Sequence, residues 1–95
     1  MSNGVFVPGE AASFVNYRHE GLPSVALQDA WRDQLRDIEQ AENWEVLSVK
    51  HYHATCWLAA LVQARLISLP TAVELRETRD MAHQIAGDRL VSNTP

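Results

Sequence analysis

The densest run of reactive side chains in this 95-residue sequence is His51-Tyr52-His53 followed by Cys56. Imidazole nitrogen and thiolate sulfur are the ligands zinc and the later transition metals take, so the run is a candidate metal site. On a helix, residues two apart point about 200° away from each other, so His51 and His53 cannot share an ion, whereas His53 and Cys56 can. Two ligands fall short of the three or four that zinc uses, and a buried Cys beside a packing or interface His is the stronger reading. As a nucleophile Cys56 would need its pKa lowered by a helix amino terminus or a cation. It falls instead in the middle of an expected apolar face and reads as an inert core thiol. His19 and His83 are isolated. Asp29, Asp33 and Asp37 form an i,i+4 stripe that offers oxygen ligands to a cation, but pairing with Arg32 and Arg36 makes a solvated helix face the stronger reading. No glycine-rich phosphate loop, Gly-x-Ser-x-Gly elbow or zinc-finger spacing is present. These residues describe a domain with no complete active site of its own.

At 10.7 kDa the chain has room for one domain, and its 46 % hydrophobic and 21 % charged residues are a globular mixture. A domain this small gains thin stability from its own core, so a partner would help it. Twelve acidic against eight basic residues give a net charge of -4, too little positive field to collect phosphates, so neither nucleic acid nor an anionic membrane is the expected main partner. The basic residues are seven Arg and Lys50, beside three Trp (Trp31, Trp44, Trp57), the types enriched at interface hot spots. A single Cys excludes an internal disulfide and fits a reducing interior. No apolar run approaches the roughly 20 residues of a membrane span, and residues 1–10 hold neither a basic n-region nor a long apolar run. The expectation is a soluble cytoplasmic protein.

Glycines and prolines divide the chain. Residues 1–9 read as an extended arm and 10–19 as a short helix carrying Phe14, stopped by Gly21 and Pro23. Ser24 is the expected N-cap of a second helix over 25–40, whose Leu27, Trp31, Leu35 and Ile38 share a face. A third helix over 46–68 is the most apolar. Its face is read as Val46, Val49, Tyr52 or His53, Cys56, Trp57, Ala60, Leu61 and Ala64, covered on more than one side. Pro70 ends it, and Thr71-Ala72-Val73-Glu74 reads as a capping box for a fourth helix over 71–86. Arg76 and Asp80 mark its outer face, Gly87 is the expected C-cap, and 87–95 a loose tail. The class is all-α: a small bundle of three to four helices, with a helical core over 10–86 behind an extended amino-terminal arm.

Three stretches carry a family resemblance. Pro8-Gly9-Glu10-Ala11-Ala12-Ser13-Phe14 resembles a Trp-Glu-x-x-Ala-Phe helix opening, with Gly9 in place of the Trp. Asp29-Ala30-Trp31-Arg32, with Ile38-Glu39 following, resembles an Asp-Glu-Phe-Arg segment and its trailing Ile-Glu. Tyr52 through Leu61, then Leu66-Ile67-Ser68 and Glu74-Leu75, resembles a Tyr-Tyr-x-x-Trp-Leu-x-x-Leu block with its downstream Gly-(Ile/Leu)-(Ser/Thr) and Glu-Leu, although here the Tyr pair is broken. Together, over roughly residues 8–79, they resemble the amino-terminal helical domain of the nitrile hydratase β subunit. Thiocyanate hydrolase and the small nitrile hydratase accessory proteins share that domain in altered form.

The resemblance implies a piece of a larger enzyme. The family's low-spin Co(III) or Fe(III) is held by a cysteine cluster of the α subunit, which this chain lacks, so no cofactor is expected on this chain itself. The chain would be a small β-type subunit of a split nitrile hydratase, as in the toyocamycin-type enzyme, joined by the α subunit and a separate small barrel subunit. Arg32 is the residue carried over as catalytic: its family counterpart hydrogen-bonds the oxidised cysteines across the interface. A guanidinium, always charged and offering a fork of donors, suits sulfinate and sulfenate oxygens. Phe14, Trp31, Tyr52, His53 and Trp57 are the implied interface residues. The alternative is an accessory protein that escorts the α subunit or helps load its metal.

Overall fold

The computed structural model describes residues 17–93, which form three α-helices: α1 Val25–Glu39, α2 Trp44–Gln63 and α3 Leu69–Ser92. No strand occurs among the described residues, so the chain is a small all-α bundle in which each helix packs on both others. The arm expected over 1–9 and most of the helix expected over 10–19 lie outside the described residues. The described end of that span, Tyr17–His19, is not helical. There the His19 carbonyl accepts from the Leu22 N–H at 3.0 Å and from Gln28 Nε2 at 3.2 Å, which commits the backbone to a turn. Gly21 is required in that turn, because a Cβ on it would come within 2.4 Å of Thr71 Oγ1.

Each helix opens on a side chain that satisfies an otherwise unpaired amide. Ser24 Oγ accepts from Leu27 N–H, as expected, and Asn43 Oδ1 accepts from Val46 N–H at 2.8 Å. For α3 the cap is Ser68, whose Oγ accepts from Thr71 N–H at 3.2 Å. The capping box read at Thr71–Glu74 is therefore displaced: Thr71 lies inside the first turn, and the Glu74 carboxylate pairs with His19 instead. Pro70 ends nothing. It sits in the first turn of α3, where a missing N–H costs no hydrogen bond.

The end of α2 comes earlier than the expected 68. Leu66 N–H bonds to Leu61 O at 2.9 Å and Arg65 N–H to Val62 O at 3.0 Å, the paired pattern that closes a helix through a left-handed residue. Arg65 is that residue, at φ 60°. Conversely α3 does not stop at Gly87 but continues to Ser92, so the loose tail expected from 87 onward is mostly helix. Two features extend it: Ala86 and Leu90 prolong the buried series Thr78, Ala82, and Arg89 donates to the Glu39 and Ala41 carbonyls at the end of α1.

The core is organised on Trp31, which is fully buried. Its ring stacks on Trp57 of α2, with centroids 5.5 Å apart and planes 15° from parallel. Its Nε1–H donates to Thr78 Oγ1 of α3 at 3.1 Å, and that hydroxyl donates to Leu75 O at 2.7 Å. Leu35, Ile38, Leu47, Leu58 and Leu75 close around it, all buried. On α2 the buried face is Leu47, Ala54, Leu58 and Leu61, rotated away from the expected face. Val49, Tyr52, Cys56, Ala60 and Ala64 of that expected face are exposed. On α3, likewise, the core side is Ala72, Leu75, Thr78, Ala82, Ala86 and Leu90, while Val73, Met81 and Ile85 are exposed.

Two stability changes follow from this packing. Thr78→Val keeps the shape but strips the buried indole N–H of its acceptor, so it should cost about 1–3 kcal/mol in urea unfolding. Gly87→Ala should stabilise by about 0.5–1 kcal/mol. Its Cβ would meet only the Trp44 ring, at an ordinary 3.5 Å, and a helix that ended at Gly87 would show no such gain.

Candidate functional site

Arg32 follows Trp31 directly, so the residue that anchors α1 in the core also fixes where this guanidinium emerges. Arg32 Nη2 lies 3.1 Å from Asp29 Oδ1 one turn back, and its side chain is 25 % exposed. The same Asp29 oxygen pairs with Arg18 at 3.1 Å, and Arg36 pairs with Asp33 at 3.2 Å. Asp29 and Asp33 of the acidic stripe are thus ion-paired on α1, as their spacing indicates, and Asp37 is exposed. Such pairs are worth under about 1 kcal/mol and are readily exchanged for a better acceptor.

The His51–Cys56 run is dispersed. Tyr52, His53 and Cys56 are exposed, while His51 turns toward α3. The inert core thiol expected at residue 56 is therefore a surface thiol, because the core face of α2 lies on its opposite side. Cys56 sits against the Tyr52 hydroxyl one turn earlier, and that contact holds the phenol above its ordinary pKa. Among the described residues, no group of three His, Cys, Asp or Glu side chains converges as metal ligands would. His53 borders a polar notch of about 100 Å³ with Gln34, Asp37 and Lys50. A wider open cleft, about 680 Å³, runs between the turn at Gly21 and the α2–α3 connection, lined by Val62, Arg65, Leu66 and Leu69.

The polar cluster that the structure does assemble joins α2 to α3, and its members lie too far apart in sequence to be read as one. His51 Nε2 is 3.3 Å from Asp80 Oδ1, and the His83 ring meets the His51 ring edge-on with centroids 5.0 Å apart. Arg79 Nε and Nη2 both reach that Asp80 oxygen at 2.9 Å, and Nη1 donates to Thr55 Oγ1 at 2.9 Å. His83 is therefore not isolated, and Asp80 pairs with Arg79 and His51 rather than with Arg76. Nor is His19 isolated: its Nδ1 accepts from Gly21 N–H at 2.9 Å, which leaves Nε2–H to donate to Glu74 Oε1 at 2.5 Å. Tyr17, packed beside Thr78, has its phenol pKa raised by burial, offset in part by a hydrogen bond with Thr78 and reinforced by Glu74.

Of the implied interface residues, Phe14 lies outside the described residues. Trp31 is wholly buried and offers a partner no surface, Trp57 is half-buried against it, and Tyr52 and His53 are exposed. No described helix is long and apolar enough to cross a membrane. No family model, no curated protein and no solved structure matches the chain.

Partial burial alone would raise the Asp80 pKa, but hydrogen bonds from Arg79 and His51 and their positive charge outweigh it and hold the carboxyl below its ordinary value. Because the folded pKa lies below the unfolded one, the stabilisation is complete above about pH 4 and is lost as pH falls through the folded pKa. Asp80→Asn should therefore lower stability near neutrality by less than about 1 kcal/mol, since the group is largely exposed. The gap between variant and parent in denaturation midpoint should close in acid, and a gap that is constant with pH would contradict the assignment.

Proposed function

We propose that this chain is a small β-type subunit of a nitrile hydratase-like hydro-lyase, acting at the boundary with a metal-bearing α subunit and alongside a separate small barrel subunit. The reading rests on the three sequence stretches described above and on the placement of Arg32. The partner's Co(III) or Fe(III) would supply Lewis acidity for the hydration of a nitrile to an amide. What this chain contributes is a guanidinium on a helix locked by its neighbouring tryptophan. Asp29 holds that guanidinium through one half-buried ion pair.

A partly exposed arginine on a rigid helix can exchange a carboxylate for sulfur oxyanions of a partner without rearranging its backbone. Its fixed charge and planar fork then orient those oxygens. Tyr52 and His53, exposed on α2, are available to the same partner.

In the purified complex, Arg32→Ala should reduce kcat by about 10²- to 10³-fold, the usual cost of one oxyanion donor. Arg32→Lys should recover only part of it, because an ammonium does not reproduce the fork. Unchanged turnover in an intact complex would remove Arg32 from the site. Co-purification with the α subunit at fixed stoichiometry supports the subunit reading. Transient binding, with the chain absent from the mature enzyme, would instead indicate the accessory protein.

A further inference from the structure

An arginine stands where helix endings usually take glycine. Arg65, at φ 60°, is the left-handed residue that closes α2, a position glycine fills without strain because it has no Cβ. Among the described residues, no acceptor pairs with its guanidinium. The strained backbone is therefore not offset by a contact within the fold, and a residue kept in such a conformation points to a use for its side chain.

Arg65 lines the open cleft of about 680 Å³ that runs between the turn at Gly21 and the start of α3. That size falls within the roughly 300–1,000 Å³ of small-molecule sites. Val62, Leu66, Ile67 and Leu69 make its apolar wall, and no acidic side chain among the described residues lines it. Leu66 is 49 % and Leu69 64 % accessible, so apolar surface stands open beside an unpaired cation. The hydroxyls on the rim are engaged with each other, Ser68 Oγ donating to Thr71 Oγ1 at 3.1 Å. On the opposite wall, a Cβ at Gly21 would collide with the Thr71 side chain, so the turn is close-packed on α3.

We infer that this cleft binds a small aliphatic carboxylic acid, with the carboxylate on the Arg65 guanidinium and the tail along Val62, Leu66 and Leu69. A planar carboxylate matches the arginine fork, and one cation balances one negative charge. A phosphate monoester, at about −1.5 to −2, would keep charge uncompensated against an apolar wall. A peptide would bring backbone amides that this wall leaves unpaired. The inference is independent of Arg32, which lies on α1, and of the nitrile hydratase reading.

Amide chemical-shift titration of the full chain with decanoate should move the resonances of Gly21, Arg65, Leu66 and their neighbours along the cleft. Decanol, with the same tail length and no charge, should bind at least about tenfold more weakly, the usual worth of a hydrogen bond to a charged group. Arg65→Gly separates binding from folding: it should raise the urea midpoint by relieving the left-handed backbone, yet weaken decanoate by a similar factor. Arg65→Lys should fall between, since it keeps the charge and loses the fork. Shifts away from the cleft, decanol binding as tightly as decanoate, a midpoint that falls in Arg65→Gly, or binding that Arg65→Gly leaves intact would each overturn the proposal. So would tighter binding of a leucine-terminated peptide with a free carboxylate.

Discussion

Trp31 lies where the three helices meet, and it binds each differently: by chain connectivity in α1, by ring stacking on Trp57 in α2, and by its indole N–H on Thr78 in α3. The stack is non-directional in energy but fixed in geometry, whereas the hydrogen bond fixes register, since a buried N–H must find its acceptor. Thr78 is also packed beside Tyr17, so the segment before α1 is held to the same point. In a domain with so little interior, one large side chain that touches every element replaces several layers of aliphatic packing.

Around this centre, the termini of the helices are tied by long polar side chains. Arg89 closes the end of α1 onto α3, Arg79 joins Thr55 and Asp80 across α2 and α3, and His19 links the leading turn to Glu74. The excess of arginine over lysine therefore has a structural use in this chain. A planar fork with several donors satisfies two carbonyls, or a hydroxyl and a carboxylate, at once, which a point charge does less well. The structure assigns Arg79 and Arg89 to clasps, while Arg36 stays in an exposed pair and Arg32 in a half-buried one.

Much of the helical layout was legible from local chemistry. Ser24 caps α1 and Trp31, Leu35 and Ile38 face inward because their spacing has one apolar solution. The same reasoning failed on α2 because that helix is apolar on nearly every side, and periodicity cannot choose between two apolar faces. Leu47, Ala54, Leu58 and Leu61 won because they meet Trp31 and its neighbours, so Cys56 and Tyr52 were left outside. On α3 the core face is built largely of Ala and Thr, small residues that carry a weak apolar signal yet allow close helix approach, while the larger Val73, Met81 and Ile85 stay exposed.

The sequence by itself determined the all-α class, the cap at Ser24, the ion-paired acidic stripe of α1 and the inward tryptophan, since each depends on residues within a turn or two of one another. Only the tertiary structure decided which side of α2 is core, that α3 runs through Gly87, and that His51, Asp80, His83 and Arg79 form one cluster. Those outcomes depend on groups about 30 residues apart or more, or on packing that overrides a weak helix breaker, and local spacing holds no record of them. Arg32 stands between the two: its type and its neighbours were plain in the sequence, while its anchoring beside a buried tryptophan came from the packing of all three helices.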